Sequence, residues 1–174
     1  MLLDAGDVGP GVLRVEPVPP PDASAADPPC LAKAHVHTQK SRASIEILFT
    51  NGVALVEQLD SYSSTGSGHR AFETEARTLN RCRHFSSTID GQTVSASISP
   101  DLPGVARLGN ELKAYRLDLS EGGVTIGADF VLARKGLIDA RLFLAPIAYN
   151  SSVIGRITTK AVAKVGTPVP VSLT

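Results

Sequence analysis

Two periods of apolar residues run along the chain and mark most of its elements. Between Ala43 and Thr50, Ile45, Ile47 and Phe49 alternate with Ser44, Glu46 and Leu48, the pattern of a strand. The run ends in Asn51-Gly52, and both residues tolerate positive φ, so a hairpin follows with Val53 to Tyr62 as its second arm. A serine- and glycine-rich loop, Ser61 to Gly68, leads into a helical period. Phe72, Ala76, Leu79 and Cys82 fall on one face of a helix from His69 to Phe85, with Ser67 as its cap. Arg81, Arg83 and His84 in its last turn suit the negative end of the helix dipole.

Period two returns in Thr93 to Ser99, where Val94, Ala96 and Ile98 alternate with hydroxyl residues before Pro100 and Pro103. Leu112 to Leu119, Val124 to Arg134 and Leu137 to Leu144 are three more strands, joined by Glu121-Gly122-Gly123 and Lys135-Gly136. This is an antiparallel meander, and its middle strand is apolar on both faces, as a central strand is. Ser151 to Val165 carries Val153, Ile157, Ala161 and Val165 at helical steps, after the start signal Asn150-Ser151-Ser152. At the other end, residues 1–29 hold seven prolines, with room for a short strand at Val12 to Val18 and a surface loop from Pro19 to Pro29. Residues 166–174 form a tail. The pattern predicts one α+β domain over residues 1–174: a twisted antiparallel sheet of about six to seven strands, with two amphipathic helices packed on one face.

Composition narrows the function. Seventeen Lys+Arg balance seventeen Asp+Glu, so nothing draws the chain electrostatically to nucleic acid or to an anionic membrane. Aromatic residues make up 5% with no Trp, so base-stacking platforms and aromatic sugar cradles are scarce. No apolar run reaches the roughly eighteen residues of a membrane span. Met1-Leu2-Leu3-Asp4 lacks the basic and apolar regions of a signal peptide, which leaves a cytosolic chain or one whose export signal lies outside these residues.

Two cysteines, Cys30 and Cys82, stand too far apart for a C-x-x-C metal or redox site. Free core thiols are one reading. The other is a bridge pinning the proline-rich segment to the helix, worth roughly 4 kcal/mol by loop entropy and implying an oxidising compartment.

Other chemistry is sparse. No kinase loop or His-Arg-Asp motif occurs, and Gly66-Ser67-Gly68 is not a Gly-x-Ser-x-Gly nucleophile elbow. His35 and His37 have metal-ligand spacing but no third ligand, so no metal or cofactor is expected. Asn150-Ser151-Ser152 fits a glycosylation sequon and a helix start equally well. Arg116, Asp118, Asp129, Arg134, Asp139 and Arg141 punctuate the meander, as a solvated face with cross-strand ion pairs would require. The functional alternative is that Arg116 or Arg141 meets an anionic ligand in a cleft between sheet and helices.

The order of elements and residues resembles a known family. A prolyl segment ending in Cys30, a hairpin, and then Ala71-Phe72-x3-Ala76-x2-Leu79-x2-Cys82-x2-Phe85 is similar to the PknH-like extracellular sensor domains of mycobacterial Ser/Thr kinases and related actinobacterial envelope lipoproteins. Leu2 to Gly11 resembles that family's opening turn. Leu108-Gly109-Asn110-Glu111 before Ala114-Tyr115-Arg116, and Asp129 to Ile138 with its Arg134-Lys135-Gly136, resemble its later loop and hairpin. The resemblance implies a Cys30–Cys82 disulfide and an extracytoplasmic, cell-envelope location. The kinase sensor has a second disulfide for which this chain has no cysteines, and no lipobox is present.

Function is then expected to be non-enzymatic: a sensor-like domain binding an envelope ligand or protein partner, touching the membrane only through an anchor outside these residues. The alternative is a lipoprotein carrier sheltering a lipid or acyl chain between sheet and helices. A small hydrolase ranks last, for want of a nucleophile and base at readable spacing.

Overall fold

The computed structural model describes residues 1–19, 30, 39–89, 92–100, 109–145 and 151–165. The expected loop of Pro20 to Pro29, His35 and His37, the Asp90-Gly91 turn, Leu108, Asn150 and the tail from Gly166 lie outside the described residues.

Eight strands form one antiparallel sheet: β1 Val12–Pro17, β2 Ser41–Phe49, β3 Ala54–Ser61, β4 His84–Ile89, β5 Gln92–Pro100, β6 Glu111–Glu121, β7 Val124–Lys135 and β8 Ile138–Ala145. Their order across the sheet is β1-β2-β3-β8-β7-β6-β5-β4, with every neighbour pair antiparallel. Three helices complete the described residues: α1 Ala5–Val8, α2 Thr65–Arg81 and α3 Ser151–Lys164.

Local signals place the turns where the sequence expects them. Gly52 closes the first hairpin at φ 80°, and Asn51 Oδ1 accepts from Val53 N at 3.2 Å. Gly122 and Gly123 both take positive φ between β6 and β7. Helix α2 begins earlier than expected. Ser64, not Ser67, is the N-cap, and the two serines make a reciprocal capping box: each hydroxyl accepts from the other's backbone N–H at 3.1 Å.

The sheet exceeds the expected six to seven strands by β4. His84–Ile89 follows α2 at once, because the chain leaves the helix at Cys82 with φ −89° and ψ 59°. His84 and Phe85, expected in the last helical turn, therefore begin β4, one of the two edge strands of the sheet. The third helix, α1, is a single turn held by an Asp4 capping box.

The larger correction concerns sides. Successive strand residues point to opposite faces. Val131 packs with Ile154, Ile157 and Ala161 of α3, whereas its neighbour Leu132 packs with Phe72 and Ala76 of α2. The two long helices therefore lie on opposite faces of the sheet, not on one. The physical reason was already in β7, whose apolar residues line both faces and need a cover on each.

Cys30 and Cys82 are joined by a disulfide with Cα atoms 5.5 Å apart. Cys82 is buried among Leu79, Ile98 and Tyr115, so the bridge fixes residue 30 to the packed underside of α2.

Candidate functional site

Beneath α2 the sheet is charged. Register places Glu111, Arg134, Asp139, Asp60 and Arg42 side by side in one row across β6, β7, β8, β3 and β2. Arg42 forks onto Asp60, Nε to Oδ1 at 2.7 Å and Nη2 to Oδ2 at 3.0 Å. Arg134 pairs with Glu111, which also meets His69 Nδ1 at 2.7 Å. Arg141, one step along β8, reaches Glu75 of α2 through Nε at 2.8 Å and Nη2 at 2.6 Å, and Asp60 through Nη1. These contacts tie helix to sheet by directional, charge-assisted bonds.

Asp139 is the odd member. It is fully buried, stands directly opposite Asp60, and neither of its carboxylate oxygens has a hydrogen-bond partner. Burial, reinforced by Glu75 and Asp60 against Arg141 and Arg134, pushes it up to about 7. Burial also opposes Asp60 ionisation, but the Arg42 hydrogen bond and the Arg141 charge outweigh it and hold Asp60 below the usual carboxylate range. Tyr62, buried beside them, is raised to about 12, chiefly by desolvation.

Arg141 and Arg116 do not converge. They project from opposite faces, and the Arg141 guanidinium is engaged by Glu75 and Asp60. Arg116 lies on the α3 side, beyond that helix. It pairs with fully buried Asp129 through Nη1 at 2.7 Å and with half-exposed Asp118 at 3.4 Å.

Arg116 borders an open polar surface over β4, β5 and β6. Helix α3 packs on β7 and β8, so this wing carries no helix on that side among the described residues. Ser86, Ser95, Ser120 and Thr125 form one cross-strand row, and His84, Ser97 and Asp118 the next. Between these rows lies a shallow cavity of about 380 Å³.

The His84–Ser97–Asp118 row contains the residue types of a hydrolase but not their order. A relay needs the histidine between carboxylate and serine; here the serine is in the middle, and Asp118 is held by Arg116. Sequence reasoning missed this row, because it depends on pairing among three strands and places His84 in β4, not at a helix end.

The segments carrying the family resemblance grip one another. Gly109 has φ 73°, and a Cβ there would stand 2.6 Å from the Arg134 carbonyl oxygen, so only glycine fits. Asn110 N donates to that oxygen at 2.8 Å, and Asn110 Oδ1 accepts from Gly136 N at 2.7 Å. The Gly109-Asn110-Glu111 loop is thus clasped to Arg134-Lys135-Gly136.

No family model and no curated protein matches the sequence. Among solved structures the chain is similar to the extracellular domain of PknH from Mycobacterium tuberculosis, at a TM-score of 0.61 and 9% identity, over 78% of this chain and 68% of that one. The chain has the fold of that extracellular domain. A putative uncharacterized protein from Mycobacterium smegmatis aligns over 88% of this chain and 90% of its own, at a TM-score of 0.46 and 9% identity. Within the fold, the Cys30–Cys82 bridge joins the segment before the hairpin to α2, as the sequence resemblance implies.

Proposed function

We propose that this chain is an extracytoplasmic, non-enzymatic ligand- or partner-binding domain of the bacterial cell envelope, of the sensor type, anchored to the membrane by other parts of the full-length protein. The observation that carries the reading is its likeness to an extracellular sensor fold. The Cys30–Cys82 disulfide supports it, since such bonds persist in oxidising compartments. Within the domain, the wing beside Arg116 is the binding surface. Arg141 serves as scaffold, because its donors already bind Glu75 and Asp60.

Protease treatment of intact and lysed host cells tests the location. Digestion of the domain in intact cells is expected; protection until lysis, with two free thiols in the folded protein, would overturn it.

One observation favours a second reading, a lipid carrier. A cavity of about 320 Å³ lies at the hairpin end of α3, with Val8, Phe49, Val53, Leu144, Val153 and Ile157 on its apolar wall and Asn51 and Arg156 at its polar side. Native mass spectrometry of host-purified protein separates the two readings, since a carrier retains lipid and a polar-ligand sensor does not.

A further inference from the structure

The wing has a chemical character more specific than that of a solvated sheet. Exposed strand faces favour long or β-branched side chains. Here Ser86, Ser95 and Ser120 share one cross-strand row and Ser97 stands in the next between His84 and Asp118, and together they line a recess. Each hydroxyl can donate and accept. Two pairs already bond each other, Ser120 with Thr125 at 2.8 Å and Ser86 with Ser95 at a long 3.4 Å.

Charge selects the ligand class. Arg116 faces two carboxylates, Asp118 and Asp129, so an anion entering here meets a surface with no surplus of positive charge. Asp129 is fully buried with Oδ2 unpartnered, so it anchors Arg116 from below and holds the guanidinium beside Asp118, which lines the recess. An apolar ligand would strip water from hydroxyls and ions without replacing their hydrogen bonds. What remains is a neutral molecule bearing many hydroxyls of its own.

We infer that the face over β4, β5 and β6 binds a neutral carbohydrate, with Arg116 and Asp118 gripping adjacent ring hydroxyls and the serine rows following the chain. This rests on the proposed binding role of the wing. His84 is the ring on this face, since Phe85 packs with Leu79 and Cys82 on the α2 side, so stacking is limited to one imidazole and binding relies on several sugar units engaging the rows together.

Amide NMR titration of the disulfide-intact chain tests it, using neutral oligosaccharides of glucose, mannose, galactose and arabinose, with inorganic phosphate and a lysophospholipid micelle as comparators. At least one neutral oligosaccharide should shift amides of residues 84–86, 95–99 and 116–120, with affinity reduced about tenfold or more in Asp118→Asn and Ser95→Val. Both positions are solvent-facing, so these variants keep the fold; Arg14→Ala at the far edge should change nothing. Phosphate shifting the wing while every sugar fails would overturn the ligand class and leave the wing as the binding surface. Shifts confined to the α3 cavity with the micelle, or no shift at the wing with any probe, would overturn both.

Discussion

The two faces of the central strands are built from different physics. Along β8, Ala140, Leu142 and Leu144 point toward α3, while Asp139, Arg141 and Phe143 point toward α2. The α3 side is aliphatic: Ile45, Ile47, Leu55, Val131, Leu142 and Leu144 meet Ile154, Ile157 and Ala161. Such contacts are non-directional, and each fully buried side chain contributes about 1.5–3 kcal/mol. The α2 side is half apolar, through Phe72, Ala76 and Leu132, and half ionic, through Glu75, Arg141 and Asp60. Ion pairs there add register: only one rotation and translation of α2 brings Glu75 onto Arg141. Helix α3 meets the sheet mainly through apolar area, its polar ties being Lys135 Nζ to Val162 O and Lys164 to Asp4 and Asp7 at its C-terminal end, whereas α2 has an ion pair in the middle of its contact with the sheet.

The largest expected effect comes from breaking the ionic side. Arg141→Met leaves Glu75 without its partner and should cost about 3–5 kcal/mol in denaturant unfolding, whereas the double variant with Glu75→Leu should recover much of that. Removing aliphatic bulk comes next: Leu142→Ala should cost about 2–5 kcal/mol through transfer and cavity terms, with no comparable rescue from a neighbouring substitution. Gly109→Ala tests the clasp between the loop and β7. The Cβ overlap and positive φ should cost about 1–3 kcal/mol.

Proton linkage distinguishes the faces more gently. Each holds one buried carboxylate raised to about 7: Asp139 under α2, and Glu57 under α3, where Leu3 N donates to Glu57 Oε2 at 2.5 Å. Burial is the leading cause in both. A carboxyl raised on folding binds its proton more tightly in the native state, so its contribution is complete below the ordinary values of 3.8 and 4.5 and is lost as pH rises to about 7. Asp60 and Asp4 are lowered and act oppositely, their contributions disappearing as the solution is acidified below the ordinary carboxylate range. These four groups together should therefore place the stability maximum near the ordinary carboxylate values, at about pH 4. Asp139→Asn should flatten the decline above it, gaining on the order of 2 kcal/mol at pH 8. The smallest effect is at the edge strand, where the half-exposed Arg14–Glu16 pair should contribute less than about 0.5 kcal/mol when Arg14 becomes Ala.

Local features were legible and sidedness was not. Asn51-Gly52, the glycine turns of the meander and the apolar stripes of both long helices are short-range signals, and each maps onto an observed turn or element. Where α2 and α3 sit depends on which face of β7 each covers, and a periodicity of two does not say which helix takes which face. The charged residues of the meander were visible, and cross-strand pairing between Arg116 and Asp129 follows from adjacent strands. Glu75 and Asp60, the partners of Arg141, lie 66 and 81 residues away in sequence, so nothing local announces them. The wing was hidden for the same reason: Ser-rich strands read singly as plain polar faces, and His84 was absorbed into the helix before it. The Cys30–Cys82 pairing was the exception among long-range features, because the order of elements itself resembles a known fold.

A double-mutant cycle between Glu75 and Arg141, each replaced singly and together by an apolar residue, measures the claim that α2 is docked by a specific ion pair as well as by apolar area. The account predicts that each single variant is strongly destabilised and that the pair shows a coupling energy of about 1–3 kcal/mol. Additive effects, with each single variant costing less than about 0.5 kcal/mol, would contradict it and leave both faces held by hydrophobic packing alone.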